Sequence, residues 1–178
     1  MVHVDFDELF VSLPKDGWLK KDEARLLLDA ASSTEGPILE VGCFHGRSTV
    51  LLASLGRLVI SVDPFVGFNT LDMGGQETHK AFLANLEERK IDNVSLVISQ
   101  IEDWAVQPVG FAYLDGDHTY DGTRNQIKAA LDGGVSALCV HDWCDAGDGA
   151  EIKRAAEENS RLEFVQVVGE MAHYRTLP

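Results

Sequence analysis

The sequence predicts an α/β protein built on a doubly wound, mostly parallel sheet, and three observations favour this fold class. Segments typical of strands and of helices alternate along the 178 residues, without internal repeats or a linker-like stretch. The strand candidates are near-continuous apolar runs, as expected for a sheet that is covered on both faces. Hydrophobic residues make up 45% of the chain and charged residues 25%, which is a globular composition and excludes wholesale disorder.

In the first half of the chain, apolar residues that recur at turn spacing alternate with short apolar runs. The turn spacing predicts helices over residues 20–31, 48–55 and 77–89. The apolar runs predict strands over residues 37–41, 58–62 and 94–98. Ser48 stands at the start of the second helix, and a serine in that position is predicted to be its N-cap.

The second half repeats the alternation and then ends in two strands. Strands are predicted over residues 111–114 and 135–140, and helices over residues 120–131 and 150–159. The helix over residues 120–131 is expected to stop at Gly133 and Gly134, because glycine favours helix ends. Residues 162–168 and 171–175 are predicted to form a hairpin around Gly169 and Glu170.

Charge and cysteine content limit the partners and the compartment. Fifteen Lys and Arg against 29 Asp and Glu give a net charge of −14, which disfavours nucleic acid and anionic membranes as partners. The first residues do not form a signal peptide, and no apolar stretch approaches the roughly 20 residues that span a bilayer. Three cysteines, Cys43, Cys139 and Cys144, are too few for a disulfide scaffold. We therefore expect a cytoplasmic protein.

A glycine-containing loop follows the first predicted strand, at the edge of the sheet where ligands of such folds bind. Glu40 ends the strand, and Gly42 and Gly46 allow a tight turn into the next helix. A dinucleotide-binding loop would have a further glycine where Phe44 stands, and Glu40 would repel a diphosphate. The loop therefore favours a ligand with a cationic amino-acid part. Asp63 ends the second strand, 23 residues after Glu40, where a carboxylate reaches ribose hydroxyls.

Five motifs together resemble the class I S-adenosylmethionine-dependent methyltransferases, and more closely a small O-methyltransferase-like group. They are Gly17-Trp18, E-x-G-x-x-x-G-R-S over residues 40–48, Asp63-Pro64-Phe65, D-G-D-H-T-Y over residues 115–120, and His141-Asp142. The resemblance implies a Rossmann-like sheet of seven strands in the order 3-2-1-4-5-7-6, with the last strand antiparallel. It also implies one methyltransferase domain over residues 1–178, with an N-terminal helical segment (1–35) and a Rossmann-like core (36–178).

The resemblance further implies a site for S-adenosylmethionine. Its predicted residues are Glu40, Gly42, Cys43, Gly46, Ser48, Asp63, Gln100, Ile101 and Asp115. Glu40 would recognise the methionine amino group, and Asp63 would hold the ribose hydroxyls. Gln100 and Ile101 would flank the adenine. An ordinary tight turn is the alternative explanation for Gly42 and Gly46.

Acids and histidines follow the fourth and fifth strands, which are neighbours in the implied order. Asp115 and Asp142 are therefore expected to face one cleft, and carboxylate oxygens suit Mg²⁺. The predicted metal residues are Asp115, His141 and Asp142. Several metal-dependent relatives have a carboxylate where His141 stands, so the use of Mg²⁺ stays open. A weaker alternative is a zinc site formed by His118, His141 and Cys144.

His118 is the predicted general base, with Asp115 as its catalytic partner, because histidine titrates near neutral pH. The alternative is that His118 only bridges its loop through hydrogen bonds. Trp18 and Trp143 are expected either to line a substrate pocket or to fill core volume. Residues 64–75 are predicted to form either an apolar lid or a surface connection.

The predicted reaction is methyl transfer to a hydroxyl oxygen of a small molecule such as a sugar, a polyketide or a phenol. One alternative is a domain of the same fold that binds the cofactor without turnover. A nucleotide-dependent oxidoreductase is disfavoured because the chain lacks G-x-G-x-x-G after the first strand. Whether the chain forms a homo-oligomer stays open.

Overall fold

The computed structural model describes residues 5–66 and 75–177, which form seven strands, six helices and one short 3-10 turn. The strands are β1 (Ile38–Val41), β2 (Val59–Val62), β3 (Val94–Val97), β4 (Phe111–Leu114), β5 (Ala137–Val140), β6 (Leu162–Val168) and β7 (Met171–Thr176). The helices are α1 (Phe6–Ser12), α2 (Lys21–Ser32), α3 (Arg47–Ala53), α4 (Gly75–Glu88), α5 (Tyr120–Asp132) and α6 (Asp148–Glu157). The 3-10 turn spans Ile101–Asp103.

The strands form one sheet in the order β3-β2-β1-β4-β5-β7-β6. Five strands run parallel, from β3 through β2, β1 and β4 to β5. The last strand, β7, is antiparallel to both of its neighbours, β5 and β6. The predicted fold class and strand order are therefore confirmed.

Alternate residues of the central strands face opposite layers of helices. On one face, Leu39 and Val41 of β1 belong to a core that includes Ile127 of α5 and Ile152 of α6. On the other face, Ile38 belongs to a core with helices α2 and α3. Fully burying one such side chain contributes about 1.5–3 kcal/mol, so the two cores hold the sheet between its helical layers.

The parallel strands end at one edge of the sheet, and this edge carries the predicted site. The ends of β1 and β4 are so close that a Cβ at Gly42 would overlap the backbone carbonyl of Asp115. Gly42 also has a φ of +80°, a conformation that favours glycine. The glycine loop after β1 therefore touches the acidic loop after β4 directly.

The start of α3 differs from the prediction. Its N-cap is Gly46, with a φ of +85°, so the prediction that Ser48 caps this helix is wrong. The hydroxyl of Ser48 instead donates to Glu40 Oε1. The glycine takes the cap position because the chain turns there through a left-handed conformation, which serine adopts only at a cost.

The N-terminal segment consists of α1 and α2, and α2 contacts β4, β5 and β7. The Asp5 side chain caps α1 by accepting a hydrogen bond from the Asp7 N–H (2.7 Å). Most of the predicted lid lies outside the described residues, since residues 67–74 are not among them. No helix in the described ranges is long and apolar enough to cross a membrane.

Candidate active site

Glu40 lies at the end of β1 with no exposed surface. Its Oε1 accepts a hydrogen bond from Ser48 Oγ (2.6 Å), and its Oε2 accepts from Thr49 Oγ1 and Ser61 Oγ (2.7 Å each). Burial raises the pKa of Glu40 to about 7, although the three hydroxyl donors oppose the rise. The predicted role of Glu40 in ligand binding stays a prediction.

Asp63 ties the end of β2 to the glycine loop. Its Oδ2 accepts from the N–H groups of Cys43 (2.9 Å) and Phe44 (3.1 Å), and its Oδ1 accepts from the Phe65 N–H (2.7 Å). The carboxylate is only partly buried, so it remains accessible to a ligand at the same edge. Cys43 itself is buried, and burial raises the pKa of its thiol well above the ordinary range, which makes the thiol unreactive.

Close packing around Gly42 and Gly46 explains why both positions of this loop are glycine. A Cβ at Gly46 would lie 3.1 Å from the Phe82 ring, and the Gly46 N–H donates to the Cys43 carbonyl (2.7 Å). Together with the overlap at Gly42, these contacts account for a tight turn between β1 and α3. The remaining predicted cofactor residues follow β3, where Gln100 is exposed and Ile101 is buried at the start of the 3-10 turn.

Asp115, His118 and Asp142 meet at the ends of β4 and β5. His118 Nε2 lies 3.6 Å from Asp115 Oδ1 and 3.4 Å from Asp142 Oδ2. The three side chains are 25% to 37% exposed, so a ligand can reach them. Asp115 is fixed from below by the buried Tyr113 hydroxyl, which donates to its Oδ2 (2.8 Å). We call these three residues the acid–histidine cluster.

His141 is buried behind this cluster, with carboxylates on both sides of its ring. Its Nδ1 lies 3.4 Å from Asp115 Oδ1 and 3.4 Å from Asp142 Oδ1, and its Nε2 lies 3.4 Å from Glu23 Oε2. Burial alone would lower the pKa of His141, but the three carboxylates outweigh burial and raise it to about 12. The ring is therefore an imidazolium at neutral pH.

His141 faces carboxylates through both ring nitrogens, and its predicted role as a metal ligand stays a prediction. Within residues 5–66 and 75–177, the one group of acids and histidines close enough to hold an ion is the acid–histidine cluster. One ligand atom from each of its members lies within 4.8 Å of the others. This group contains His118, whereas the metal residues predicted from the sequence are Asp115, His141 and Asp142.

The zinc alternative is not supported in the described part of the chain. Cys144 is not among the residues that come close enough together to hold an ion. Its Sγ instead donates to the Ala146 carbonyl (3.2 Å).

Glu23 is a site residue that the sequence analysis missed. It has no exposed surface, and its carboxylate accepts the backbone N–H groups of Lys20 (2.9 Å) and Glu170 (3.0 Å) as well as facing His141. Burial raises the pKa of Glu23, but His141 and the two N–H groups more than compensate and lower it to about 2. The available signal was a Glu three residues after the N-cap of a helix, which is typical of a capping box and indicates no link to a distant site.

Acidic and basic side chains therefore alternate from α2 to the surface of the site, in the order Glu23, His141, Asp115 and His118. Burial tends to raise the pKa of Asp115, but His141 and His118 together lower it well below its ordinary range. The Asp115 carboxylate, 3.6 Å away, raises the pKa of His118. This arrangement can hold a proton at His118, and it keeps Asp115 ionised because His141 and His118 lie beside it.

The two tryptophans of the predicted pocket have different surroundings. Trp143 donates its Nε1–H to the Tyr174 hydroxyl (2.8 Å) and stacks on Phe164 with ring centroids 5.9 Å apart. Trp143 is half-buried against the core, which agrees with the core-filling alternative. Trp18 is 63% exposed and lies against Phe44 of the glycine loop.

Three solved structures share the fold of this chain. Cofactor-bound Rv0187 from MTB is 17% identical, with a TM-score of 0.67 over 99% of this chain and 92% of that one. An O-methyltransferase from Bacillus cereus in complex with SAH is 16% identical, with a TM-score of 0.64 over 99% and 93%. The O-methyltransferase TomG from Streptomyces achromogenes, in complex with SAM, is 16% identical, with a TM-score of 0.68 over 92% and 83%.

A comparison with curated protein sequences finds no match. The family described as a methyltransferase domain matches residues 39–143. These residues run from β1 to the residue after Asp142, so they include the glycine loop, Asp63 and the whole acid–histidine cluster. With more than half of its length matched, the chain belongs to the methyltransferase domain family.

Proposed function

We propose that this protein transfers the methyl group of S-adenosylmethionine to a hydroxyl oxygen of a small molecule. Its family supports methyl transfer, and the O-methyltransferases from Bacillus cereus and Streptomyces achromogenes, which share the fold, are in complex with SAH and SAM. The observation that carries the proposal is the acid–histidine cluster, which lies beside the glycine loop at the ligand-binding edge of the sheet.

The donor would lie across the ends of β1, β2 and β3. The glycine loop lets a ligand approach the backbone, and the partly exposed Asp63 would accept hydrogen bonds from the ribose hydroxyls. Gln100 and Ile101 would flank the adenine. S-adenosylmethionine, when bound, supplies a sulfonium methyl group for an in-line displacement. Alignment of the two reacting atoms contributes most to the rate of such a reaction.

His118 is the proposed general base. A ring nitrogen of His118 takes the proton that leaves the acceptor hydroxyl, and the resulting imidazolium faces the Asp115 and Asp142 carboxylates. Tyr113 and His141 hold Asp115 in place, so the base is oriented before the acceptor binds. The neutral form of His118 is the one that can accept a proton. Because the pKa of His118 is raised above its ordinary value of 6.5, this form predominates only at a pH higher than 6.5.

A metal-assisted form of the same reaction is the second candidate, and the closeness of three donor atoms favours it. Asp115, His118 and Asp142 would hold the ion, and two carboxylates suit Mg²⁺, which keeps several waters. Such an ion would lower the pKa of the acceptor hydroxyl and orient it. His118 would then be a ligand and not the base.

We also infer that residues 1–178 act as one domain, in which the helical segment (1–35) is part of the folded unit. The contacts of α2 with β4, β5 and β7 support this, as does the buried pair of Glu23 and His141. A single unfolding transition, coincident by tryptophan fluorescence and circular dichroism, is expected. Two separate transitions would contradict one domain.

Thermal shift and calorimetry with S-adenosylmethionine, SAH and NADH test the donor. We expect stabilisation by the first two, which reaches about 2.7 kcal/mol when the ligand is at a hundredfold excess over Kd. Stabilisation by NADH alone would favour the oxidoreductase alternative and overturn the proposal. Release of SAH is then measured with a panel of phenols, sugars and open-chain alcohols. Tight binding without SAH release from any acceptor would favour the non-catalytic alternative.

A further inference from the structure

Trp18 is an exposed aromatic residue that pairs with Phe44, a partly buried residue of the glycine loop. Their ring centroids lie 5.1 Å apart with 45° between the planes, and 63% of Trp18 is exposed. Phe44 adopts a φ of +45°, which non-glycine residues adopt at a cost, and such strain is often found at functional sites. A large apolar side chain left this exposed does not contribute to the core.

Arg47, the first residue of α3, holds the backbone around Trp18. Arg47 donates from its guanidinium to the carbonyls of Leu19 (3.2 Å) and Pro14, on either side of Trp18. Gly17 has a φ of +129°, and a Cβ there would lie 3.3 Å from the Arg47 side chain. The turn before Trp18 therefore requires glycine, and Arg47 holds the backbone on both sides of Trp18.

The segment that carries Trp18 is connected to both parts of the proposed site. Arg47, the residue that follows the glycine loop, holds this segment by donating to the Leu19 carbonyl. The segment then enters α2, where Glu23 faces His141 behind the acid–histidine cluster. Because Gly42 also touches the Asp115 backbone, the glycine loop and the cluster adjoin each other. Trp18 thus lies against the glycine loop, which in turn adjoins the acid–histidine cluster.

We propose that the Trp18–Phe44 pair binds the ring of the methyl acceptor, with the acceptor hydroxyl directed towards the acid–histidine cluster. This inference rests on the proposed function and names its substrate class, which is an uncharged molecule with a flat, apolar ring face. Both a phenol and a sugar present such a face to an indole. Anionic acceptors are disfavoured, because the chain carries a net charge of −14 and the cluster holds two carboxylates.

The test uses the full chain, the ring-bearing acceptors that release SAH, and three variants. Trp18→Ala removes the indole, and we expect KM for the acceptor to rise about tenfold while kcat at saturation and the Kd of SAH stay near their original values. Trp18→Phe keeps an aromatic face and is expected to restore most of the affinity. Phe164→Ala removes a 48% exposed aromatic ring from β6 at the opposite edge of the sheet from β3, and it is the matched control.

Turnover measured with the phenols and with the sugars of the panel shows which kind of ring the Trp18–Phe44 pair binds. Turnover of either class with the expected rise in KM supports the inference. An unchanged KM in Trp18→Ala, or turnover restricted to open-chain or anionic acceptors, overturns it while the proposed function stands. A different result is that the original protein fails to bind SAH, or forms no SAH from S-adenosylmethionine with any acceptor. That result overturns the proposed function and this inference with it.

Discussion

Glu23 Oε2 lies 3.4 Å from His141 Nε2, and both side chains are buried although 118 residues separate them in the chain. The pair joins the start of α2 to the residue after β5. It also places a cation behind Asp115 and Asp142, which would otherwise repel each other across the cleft. Helix α2 thereby supports the electrostatics of the site through a residue that has no exposed surface.

Glu23→Ala is expected to destabilise the protein by about 3–5 kcal/mol, because it leaves one side of a buried imidazolium and two backbone N–H groups without a partner. Urea unfolding measures the change. Glu163→Ala, which removes an exposed pair with Arg175, is the control and should cost less than about 1 kcal/mol. Equal effects of the two substitutions would show that the buried pair adds nothing to stability.

Glu40 makes stability depend on pH. Its pKa is about 7 in the folded protein and 4.5 when exposed, so the folded state binds more protons between these values. Stability should therefore fall as the pH rises from 4.5 to 7, by about 3 kcal/mol from this group. Glu40→Gln can keep hydrogen bonds to the three hydroxyls and should remove this decline. Parallel stability curves for the original protein and the variant would contradict the assignment.

Gly42→Ala tests the contact between the glycine loop and the acidic loop. The added methyl group would overlap the Asp115 carbonyl, so we expect a loss of more than about 2 kcal/mol, together with weaker binding of SAH. Gly56→Ala is the control, because Gly56 has a similar positive φ (+69°) but no atom within 4 Å of the new Cβ. It should cost only the conformational term, about 1–2 kcal/mol. Urea unfolding and calorimetry with SAH distinguish the two variants.

Asp63→Ala should weaken binding of S-adenosylmethionine by removing charge-assisted hydrogen bonds, each worth about 1.5–3 kcal/mol. Calorimetry measures the affinity, and the fold is checked by circular dichroism because Asp63 also accepts three loop N–H groups. The exposed acid Asp92 is replaced by alanine as the control. Unchanged affinity in a folded Asp63→Ala protein would contradict the proposed position of the donor.

Chelation separates the two forms of the reaction. If His118 acts alone, EDTA should leave the rate of SAH release unchanged, and His118→Ala should lower kcat by about 10²–10⁴. If the cluster holds Mg²⁺, EDTA should abolish the rate, added Mg²⁺ should restore it, and Asp142→Ala should raise the Mg²⁺ concentration required. A rate that survives both EDTA and His118→Ala would exclude both forms and leave alignment of the reactants as the source of catalysis.

The sequence by itself determined the fold class and the edge of the sheet at which the site lies. Apolar runs and helical periodicity depend on neighbouring residues, so the alternation of strands and helices could be predicted with small errors at the ends. The helix predicted over residues 20–31 spans Lys21–Ser32, and the one predicted over 150–159 spans Asp148–Glu157. The position of Asp115 and Asp142 at one edge followed from the implied strand order.

Only the tertiary structure decided the roles of individual polar residues. Ser48 donates to Glu40 and is not a helix cap, because folding places Glu40 beneath the first turn of α3. His141 is a buried histidine with a raised pKa, because carboxylates from three separate segments surround its ring. The charge of a histidine depends on its burial and on the charges within a few ångströms, and both are set by residues that are distant in the chain.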